Sequence, residues 1–382
     1  MRTCDVAIVG LGIMGSAALY TLAKQGVDVI GFDPIAVGET RGSSHGSCRV
    51  FRRFNFESPA YTALSDHALT AWRELEAVSG QRILIPSPVL EAGPPGNATV
   101  AGSRAAALAA GVAADGPTTG AEANALFPAF SLPDGWDVVV QGGGGIVLAE
   151  TALRAFRAAA PDRIVSEVAR FEARPDSIAI TTASGEHYAA KTLIVAAGPW
   201  IGDLLPKLRP HLVITRQTVG WFEPSRPELA SPDAFPVFML DTPGGFVYGF
   251  PDFEGRGVKA ARHDLGPPAR PDEWGPPAAD AELAAVSDTL SAYIPGAFGR
   301  IVDRDVCLYT NTLPGDADGS PAEEFIIDRW PDDPRIIVAS PCSGHGFKFA
   351  SAIGQIVARM ATDQAAGADP AFRLARFSSF AR

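Results

Sequence analysis

Residues 4–9 (Cys-Asp-Val-Ala-Ile-Val) are almost continuously apolar and β-branched, the pattern of a strand buried on both faces. Six positions rich in glycine follow, Gly10-Leu11-Gly12-Ile13-Met14-Gly15. From Ser16 to Gln25 the pattern becomes helical and stops at Gly26. Residues 27–32 are again a buried-strand run, closing on Asp33. Strand, turn, helix and strand make one βαβ unit of the size that holds a dinucleotide. Residues 59–79 place Leu64, Ala68, Ala71, Trp72 and Leu75 on one helical face. Helices are also predicted over 101–110, 151–160, 281–294 and 350–361, and strands over 163–182, 192–198 and 336–339. Residues 215–258 alternate and carry aromatics, as in an antiparallel sheet, and 266–279 read as a proline-rich loop. The α/β patterns stand at the start, middle and end, with β-rich segments between them. Two discontinuous domains are therefore expected: a nucleotide domain of residues 1–82, 142–214 and 300–382, and a substrate domain of residues 83–141 and 215–299. The crevice between them is the expected site.

The 382 residues are 47% hydrophobic and 20% charged, a globular composition with material for two domains. A formal net charge of -11 argues against nucleic acid and against anionic membrane as partners. The apolar stretch 6–23 is broken by Gly10, Gly12 and Gly15 and is preceded only by Arg2, so it does not read as a signal or a membrane span. Cys4, Cys48, Cys307 and Cys342 are spaced irregularly, with no zinc pattern and no disulfide ladder. We expect a cytoplasmic protein without metal.

Three further segments carry candidate chemistry. Residues 43–52 (Ser-Ser-His-Gly-Ser-Cys-Arg-Val-Phe-Arg) set Arg49 and Arg52 three apart among small residues. A planar guanidinium suits a carboxylate, and this reading puts Arg49 against a cofactor and Arg52 in a substrate pocket. Lys259 and His263 follow the aromatic strand Tyr248-Gly249-Phe250; a buried cation there would stabilise negative charge developing as oxygen is reduced. Near the C-terminus, Ser343-Gly344-His345-Gly346-Phe347-Lys348-Phe349 forms a glycine-bounded loop with one histidine and one lysine. Such a loop suits close approach of an electron-rich ring, and Cys307 ahead of it offers a tether. Gly10-x-Gly12-x-x-Gly15 lets backbone approach a pyrophosphate, and Asp33 would accept from a ribose hydroxyl, which disfavours a 2′-phosphate. FAD and NAD share this turn; the C-terminal loop points to a flavin.

On these segments, with Met239 to Phe250, Tyr309-Thr310 and Phe325-Ile326-Ile327-Asp328, the chain resembles, over nearly its full length, the monomeric sarcosine oxidase and N-methyltryptophan oxidase group of FAD-dependent amine oxidases. The resemblance implies an α/β fold with a Rossmann-type FAD-binding domain and a second, mainly antiparallel substrate domain. It implies FAD attached through a Cys307 thioether, assisted by His45 and Arg49. The cofactor contacts expected are Gly10, Gly12, Ile13, Met14, Gly15, Asp33, Gly42, Ser43, His45, Arg49, Val50, Val168, Gly198, Trp200, Cys307, Gly344, His345, Gly346, Phe347 and Lys348. Arg52 and Lys348 would clamp the carboxylate of an amino acid substrate, Lys259 would activate oxygen, and Tyr248, Met239, His263 and Tyr309 would line the amine pocket. The implied reaction oxidises a secondary amino acid, N-methyl or cyclic, to an imine and reduces oxygen to hydrogen peroxide, in a monomer. An amino-acid dehydrogenase or a primary-amine oxidase acting on glycine or D-amino acids is the alternative.

Three departures accompany the resemblance. The group's Thr-Pro-Asp-x-His-Phe run is replaced by Thr312-Leu313-Pro314 and an insertion through Ala322, ending in Glu323-Glu324-Phe325. Pro341-Cys342 stands in place of Gly-Phe, and Cys48 stands where threonine is common. The run Gly142 to Gly145 has no role that the sequence supplies.

Overall fold

Arg2–Val9 is the centre of an eight-stranded sheet, paired in parallel with Val29–Phe32 on one side and His187–Val195 on the other. These and the other positions described here come from a computed structural model covering residues 1–112, 116–264, 266–273, 275, 277–319 and 321–381. Positions 274 and 276 of the expected proline-rich loop, 320 of the insertion and 382 of the expected nucleotide domain lie outside the described residues. The main path across the first sheet is Ile326–Trp330, Asp333–Ser340, His187–Val195, Arg2–Val9, Val29–Phe32, Ile164–Val165, and Ile178–Thr182 and Ala169–Ala173 branch antiparallel from His187–Val195 to complete the eight. Val6 and Ile8 enter the core on one face, Ala7 and Val9 that on the other. This double burial is what the unbroken apolar run requires. Helix Ile13–Lys24 begins at the glycine turn, and Ala350–Thr362 packs beside it.

The second sheet has seven strands in the order Ile301–Thr312, Leu212–Phe222, Val258–Arg262, Gly245–Phe250, Val237–Thr242, Val89–Gly93, Asp137–Gln141. It is antiparallel except where Val89–Gly93 meets Val237–Thr242. Phe238, Leu240, Val247, Val258 and Ala260 turn to a core behind this sheet. The alternate positions Met239, Phe246, Tyr248, Phe250 and Lys259 turn to the other face, where they line or border the smaller cavity described below. The fold is thus α/β, a Rossmann-type domain joined to a mainly antiparallel one. The sequence division at residue 300 runs across the second sheet, because Ile301–Thr312 pairs along its length with Leu212–Phe222. A small third sheet joins Cys48–Phe51, Gly145–Leu148 and Leu84–Pro86.

Helix Pro59–Ser79 starts at Ser58, whose hydroxyl accepts from the Ala60 amide, and ends at Gly80. Its Trp72 indole donates to the Lys348 carbonyl at 2.8 Å, tying the helix to the C-terminal loop. The second half of the glycine run has a steric reason, while Gly142 has open space around it. A Cβ on Gly144 would stand 3.1 Å from the Phe51 carbonyl and 2.4 Å from a Val89 methyl, and one on Gly145 would stand 2.5 Å from the Ile85 carbonyl.

Candidate active site

A cleft of about 800 Å³ opens beside the glycine turn. Gly10 has φ of 92°, and a Cβ there would meet the Ala196 carbonyl oxygen at 2.6 Å. Gly15 lies against the Gly10 carbonyl, where a Cβ would approach to 1.9 Å. The turn is therefore backbone-on-backbone, and it brings the N-terminus of Ile13–Lys24 to the cleft wall. Asp33 accepts from the Leu11 amide at 2.6 Å and the Ile35 amide at 2.7 Å. Burial pushes its carboxyl up, while those amides and Arg157 draw it back. A carboxylate has further lone pairs to offer, so a ribose hydroxyl remains within its capacity. The far wall is built by Gly42, Ser43, Gly198, Trp200, Val168 and the C-terminal loop. In that loop Ser343 (φ 47°) and Gly344 (φ 73°) turn left-handed, and a Cβ on Gly344 would strike Tyr309 at 2.5 Å. Bonds from the Ser343 amide to the Thr310 carbonyl (2.9 Å) and from the Thr312 amide to the Ser343 hydroxyl (3.1 Å) hold this bend. Long, glycine-walled and reaching from a helix N-terminus to the C-terminal loop, the cleft fits a dinucleotide with a flat ring at its inner end.

A smaller cavity of about 90 Å³ lies inside. His45, Arg49, Cys307, Tyr309, Gly344 and Phe347 line both spaces, so the two meet there. Arg49 is fixed by the carbonyls of Cys48 (2.8 Å), His45 (2.8 Å) and Ser43 (3.1 Å) and sits over the Phe347 ring. His45 faces the carbonyls of Gly42 at 3.1 Å and Val306 at 2.9 Å. Burial raises the Cys307 thiol, and Arg49 and Lys259 work against that rise. Lys259 is 6% exposed. Its ammonium lies 3.4 Å from the Cys48 carbonyl and 3.6 Å from the Cys48 sulfur, between the Trp221 and Phe250 rings. Burial lowers its pKa. Tyr248 and Tyr309 share a hydroxyl contact of 3.2 Å.

At the other end, Lys348 donates to the His345 carbonyl at 2.8 Å, and its pKa falls well below the usual value through burial and the nearby Arg52 charge. Arg52 donates through Nη2 to Glu57 Oε1. Burial opposes the Glu57 charge, yet Arg52, His345 and Lys348 hold its carboxyl far below the usual range. Arg52 Nη1, Glu57 Oε2 and His345 Nδ1 are buried and have no hydrogen-bond partner among the described residues. Burial drops the two histidines, His263 to about 4 and His345 to about 3, so both are neutral near pH 7.

All seven expected catalytic residues, Arg52, Met239, Tyr248, Lys259, His263, Tyr309 and Lys348, line this inner cavity. Of the expected cofactor contacts, Gly10, Gly12, Ile13, Met14, Asp33, Gly42, Ser43, His45, Arg49, Val168, Gly198, Trp200, Cys307, Gly344, Gly346 and Phe347 line the large cleft. Val50, His345 and Lys348 face the inner cavity instead, and Gly15 supports the turn from behind. Sequence reasoning missed Glu57, which reads as an ordinary acid beside a helix cap. It also missed Arg157, which donates to the carbonyls of Leu11 and Ile35 behind the turn. The insertion lies against the C-terminal tail: Asp316 accepts from the Ser378 amide and hydroxyl, and the Ala317 amide donates to the Arg376 carbonyl. Pro341 and Cys342 line the large cleft.

Residues 5–360 match the DAO family, described as FAD dependent oxidoreductase. The chain belongs to that family. It is an FAD-dependent oxidoreductase of the sarcosine oxidase-like kind. Monomeric sarcosine oxidase from Bacillus sp. (strain B-0618) is 36% identical over 370 residues, which are 94% of this chain and 92% of that one. N-methyl-L-tryptophan oxidase from Yersinia pestis (strain Pestoides F) is 28% identical over 98% of this chain and 99% of its own. Among solved structures, the open form of NikD, an unusual amino acid oxidase essential for nikkomycin biosynthesis, superposes with a TM-score of 0.82 at 19% identity, covering 98% of each chain. L-proline dehydrogenase from P. horikoshii superposes with a TM-score of 0.76 at 18% identity, over 97% of this chain and 96% of that one. At such identities the two structures speak for the fold of this DAO-family member. No helix among its described residues is long and apolar enough to cross a membrane.

Proposed function

We propose that this flavoprotein oxidises a secondary amino acid, N-methyl or cyclic, to the imine and passes the electrons to oxygen, releasing hydrogen peroxide. One observation carries the reading: Arg49, Arg52, Lys259 and Lys348 all line one inner cavity that opens on the dinucleotide cleft. FAD, when bound, supplies the acceptor for a hydride equivalent from the carbon beside the amine. Gly10, Gly12, Asp33, Ser43 and the Gly344–Phe347 stretch would hold it. Cys307, lining both spaces, would carry the thioether to it, with Arg49 and His45 stabilising the charge that accumulates during attachment.

Arg52 presents the unpartnered Nη1 to the substrate carboxylate, and Lys348, whose charge burial and Arg52 disfavour, is drawn back to its charged form by that carboxylate. A protonated amine lacks the lone pair that drives C–H oxidation. The same cations disfavour a charged amine and so lower its pKa. Neutral His263 and the Tyr248–Tyr309 pair wall the amine side and keep water out of a space this small. Lys259, between two aromatic rings, stabilises negative charge as oxygen is reduced. The imine hydrolyses in water after release.

The relatives named as monomeric support a monomer, and the absence of a disulfide pattern fits the cytoplasm. The alternative, an amino-acid dehydrogenase or a primary-amine oxidase, rests on the insertion after Thr312, where the relatives' usual run is lost. A peroxide-release screen over sarcosine, N-methyl amino acids, proline, pipecolate, glycine and D-alanine tests the proposal. Peroxide from the secondary amines supports it; peroxide only from primary amines, or none from any, overturns it.

A further inference from the structure

One buried carboxylate has no part in the reaction above. Glu91 stands on Val89–Gly93, opposite Met239 in the parallel pairing, and is 0% exposed. Its neighbours Leu90 and Ala92 fill the core behind the sheet, so strand alternation turns Glu91 toward the site face. Its Oε2 accepts from the Ser103 hydroxyl at 2.5 Å and its Oε1 from the Gln141 amide at 2.6 Å.

Gln141 is fully buried too. Its amide donates to the Phe54 carbonyl at 3.1 Å, and its oxygen accepts from the backbone amides of Arg53 (3.0 Å) and Phe54 (2.9 Å). Only one orientation of the Gln141 amide satisfies these atoms, because a flipped amide would aim its NH2 at two N–H groups. Glu91, which accepts only from the NH2 side, selects that orientation. The backbone so gripped follows Arg52 directly and leads to Glu57. Ser65 adds a hydroxyl bond to the Arg52 carbonyl at 2.9 Å.

We propose that Glu91, acting through Gln141, is a positioning residue of the carboxylate clamp: it fixes the turn of residues 52–57 and thereby the direction in which Arg52 presents Nη1. The inference rests on reading Arg52 as the group that binds the substrate carboxylate. An aliphatic side chain at position 91 would fill the space but leave one Gln141 N–H buried without an acceptor, so the amide is held by the backbone alone and its grip on the turn loosens. Burial pushes the Glu91 carboxyl up to about 7, against the pull of Arg52. A protonated carboxyl still accepts from Gln141 and donates to Ser103, and an amide at this position does the same.

The test uses FAD-loaded enzyme and three variants, Glu91→Leu, Glu91→Gln and Gln141→Leu. Half-saturation for anaerobic flavin bleaching is measured with sarcosine and L-proline, which carry the carboxylate, and with pyrrolidine, which lacks it. Acetate is titrated as a carboxylate probe by its perturbation of the flavin spectrum. Glu91→Leu and Gln141→Leu are expected to weaken acetate and the amino acids about tenfold, the scale of one lost hydrogen bond to a charged group. Pyrrolidine and the bleaching rate at saturation are expected to stay within about twofold, and Glu91→Gln to keep acetate affinity within about threefold. Unchanged acetate affinity in the folded leucine variants overturns the proposal, as does equal weakening of pyrrolidine. Loss in Glu91→Gln as large as in Glu91→Leu overturns it as well, since charge rather than placement would then be at work. Should neither leucine variant fold, Gln141→Asn, which shortens the reach, carries the same expectations. If the wild-type enzyme itself does not bind acetate, the reading of Arg52 fails, independently of Glu91.

Discussion

Replacing Glu57 with glutamine should tighten carboxylate binding while weakening the fold. The Arg52 and Glu57 side chains are only 4% and 11% exposed, so their charges see little water. A substrate carboxylate on the Arg52 guanidinium shares that group with Glu57. At an effective dielectric of about 20 and a separation of roughly 6 Å, two such anions repel by about 3 kcal/mol. Glutamine removes that charge and keeps the shape. Acetate affinity should therefore rise by between about ten- and a hundredfold, the upper figure being the full repulsion. Stability should fall, because breaking a buried pair leaves Arg52 uncompensated, at a cost of about 3–5 kcal/mol. The sign with pH follows from the depressed Glu57 carboxyl. Its stabilisation is present above the ordinary carboxyl value of 4.5 and is lost as pH falls below it. Acetate titration of the flavin spectrum and urea unfolding between pH 3 and 8 (roughly the range that brackets carboxyl titration) read the two effects. Acetate binding equal to or weaker than wild type in Glu57→Gln would rule out this charge competition at Arg52, as would a stability difference that grows as pH falls.

Other perturbations follow from the same geometry. Lys259→Met should slow flavin reoxidation by oxygen by about a hundredfold or more and leave anaerobic reduction within severalfold; equal slowing of both removes the lysine from the oxygen step. Cys307→Ser should release all its FAD into the supernatant on acid precipitation, whereas wild type should keep a yellow pellet if the proposed thioether forms; free FAD from wild type contradicts the tether. Asp33→Ala strips the acceptor from the Leu11 and Ile35 amides, so thermal stability should fall by about 2–4 kcal/mol even before FAD binding is scored; stability equal to wild type assigns those bonds no weight. The site histidines are held neutral, so below pH 6.5 the unfolded chain takes up protons first and stability declines toward the folded value of about 4 for His263. His263→Asn should flatten that decline by up to about 3 kcal/mol in urea titrations; an unaltered slope denies the histidine a part in it.

The βαβ unit was legible because its rules are local: a double-faced apolar strand, glycines that only backbone contact tolerates, and an acid closing the next strand. The helix over residues 59–79 was equally plain, since Ser58 caps it and Gly80 ends it. Helix Gly120–Leu126 escaped notice, being two turns long and announced only by the Thr119–Glu122 capping box. The inner cavity was legible residue by residue where cations stand out among apolar neighbours, as with Lys259 in its strand and Lys348 in the turn Phe347–Phe349. Glu57 and Glu91 did not stand out. Each looks like a surface acid until long-range packing buries it, Glu57 against Arg52 and Glu91 against Gln141 across 50 residues. Strand Ile301–Thr312 was read with the segments that follow it, whereas its partner is the distant Leu212–Phe222. Pairing at such separations is decided by tertiary packing, which no window of the sequence contains.

In the proposed cycle one buried cationic pocket presents a secondary amino acid to FAD and then presents oxygen. Anaerobic mixing of the yellow enzyme with sarcosine or L-proline, followed by admission of air, separates the two halves of that cycle. The flavin colour should bleach with the amino acid, return with oxygen, and leave one peroxide per enzyme. A flavin that no carboxylate-bearing secondary amine bleaches, or one that stays bleached in air, would contradict the proposed cycle.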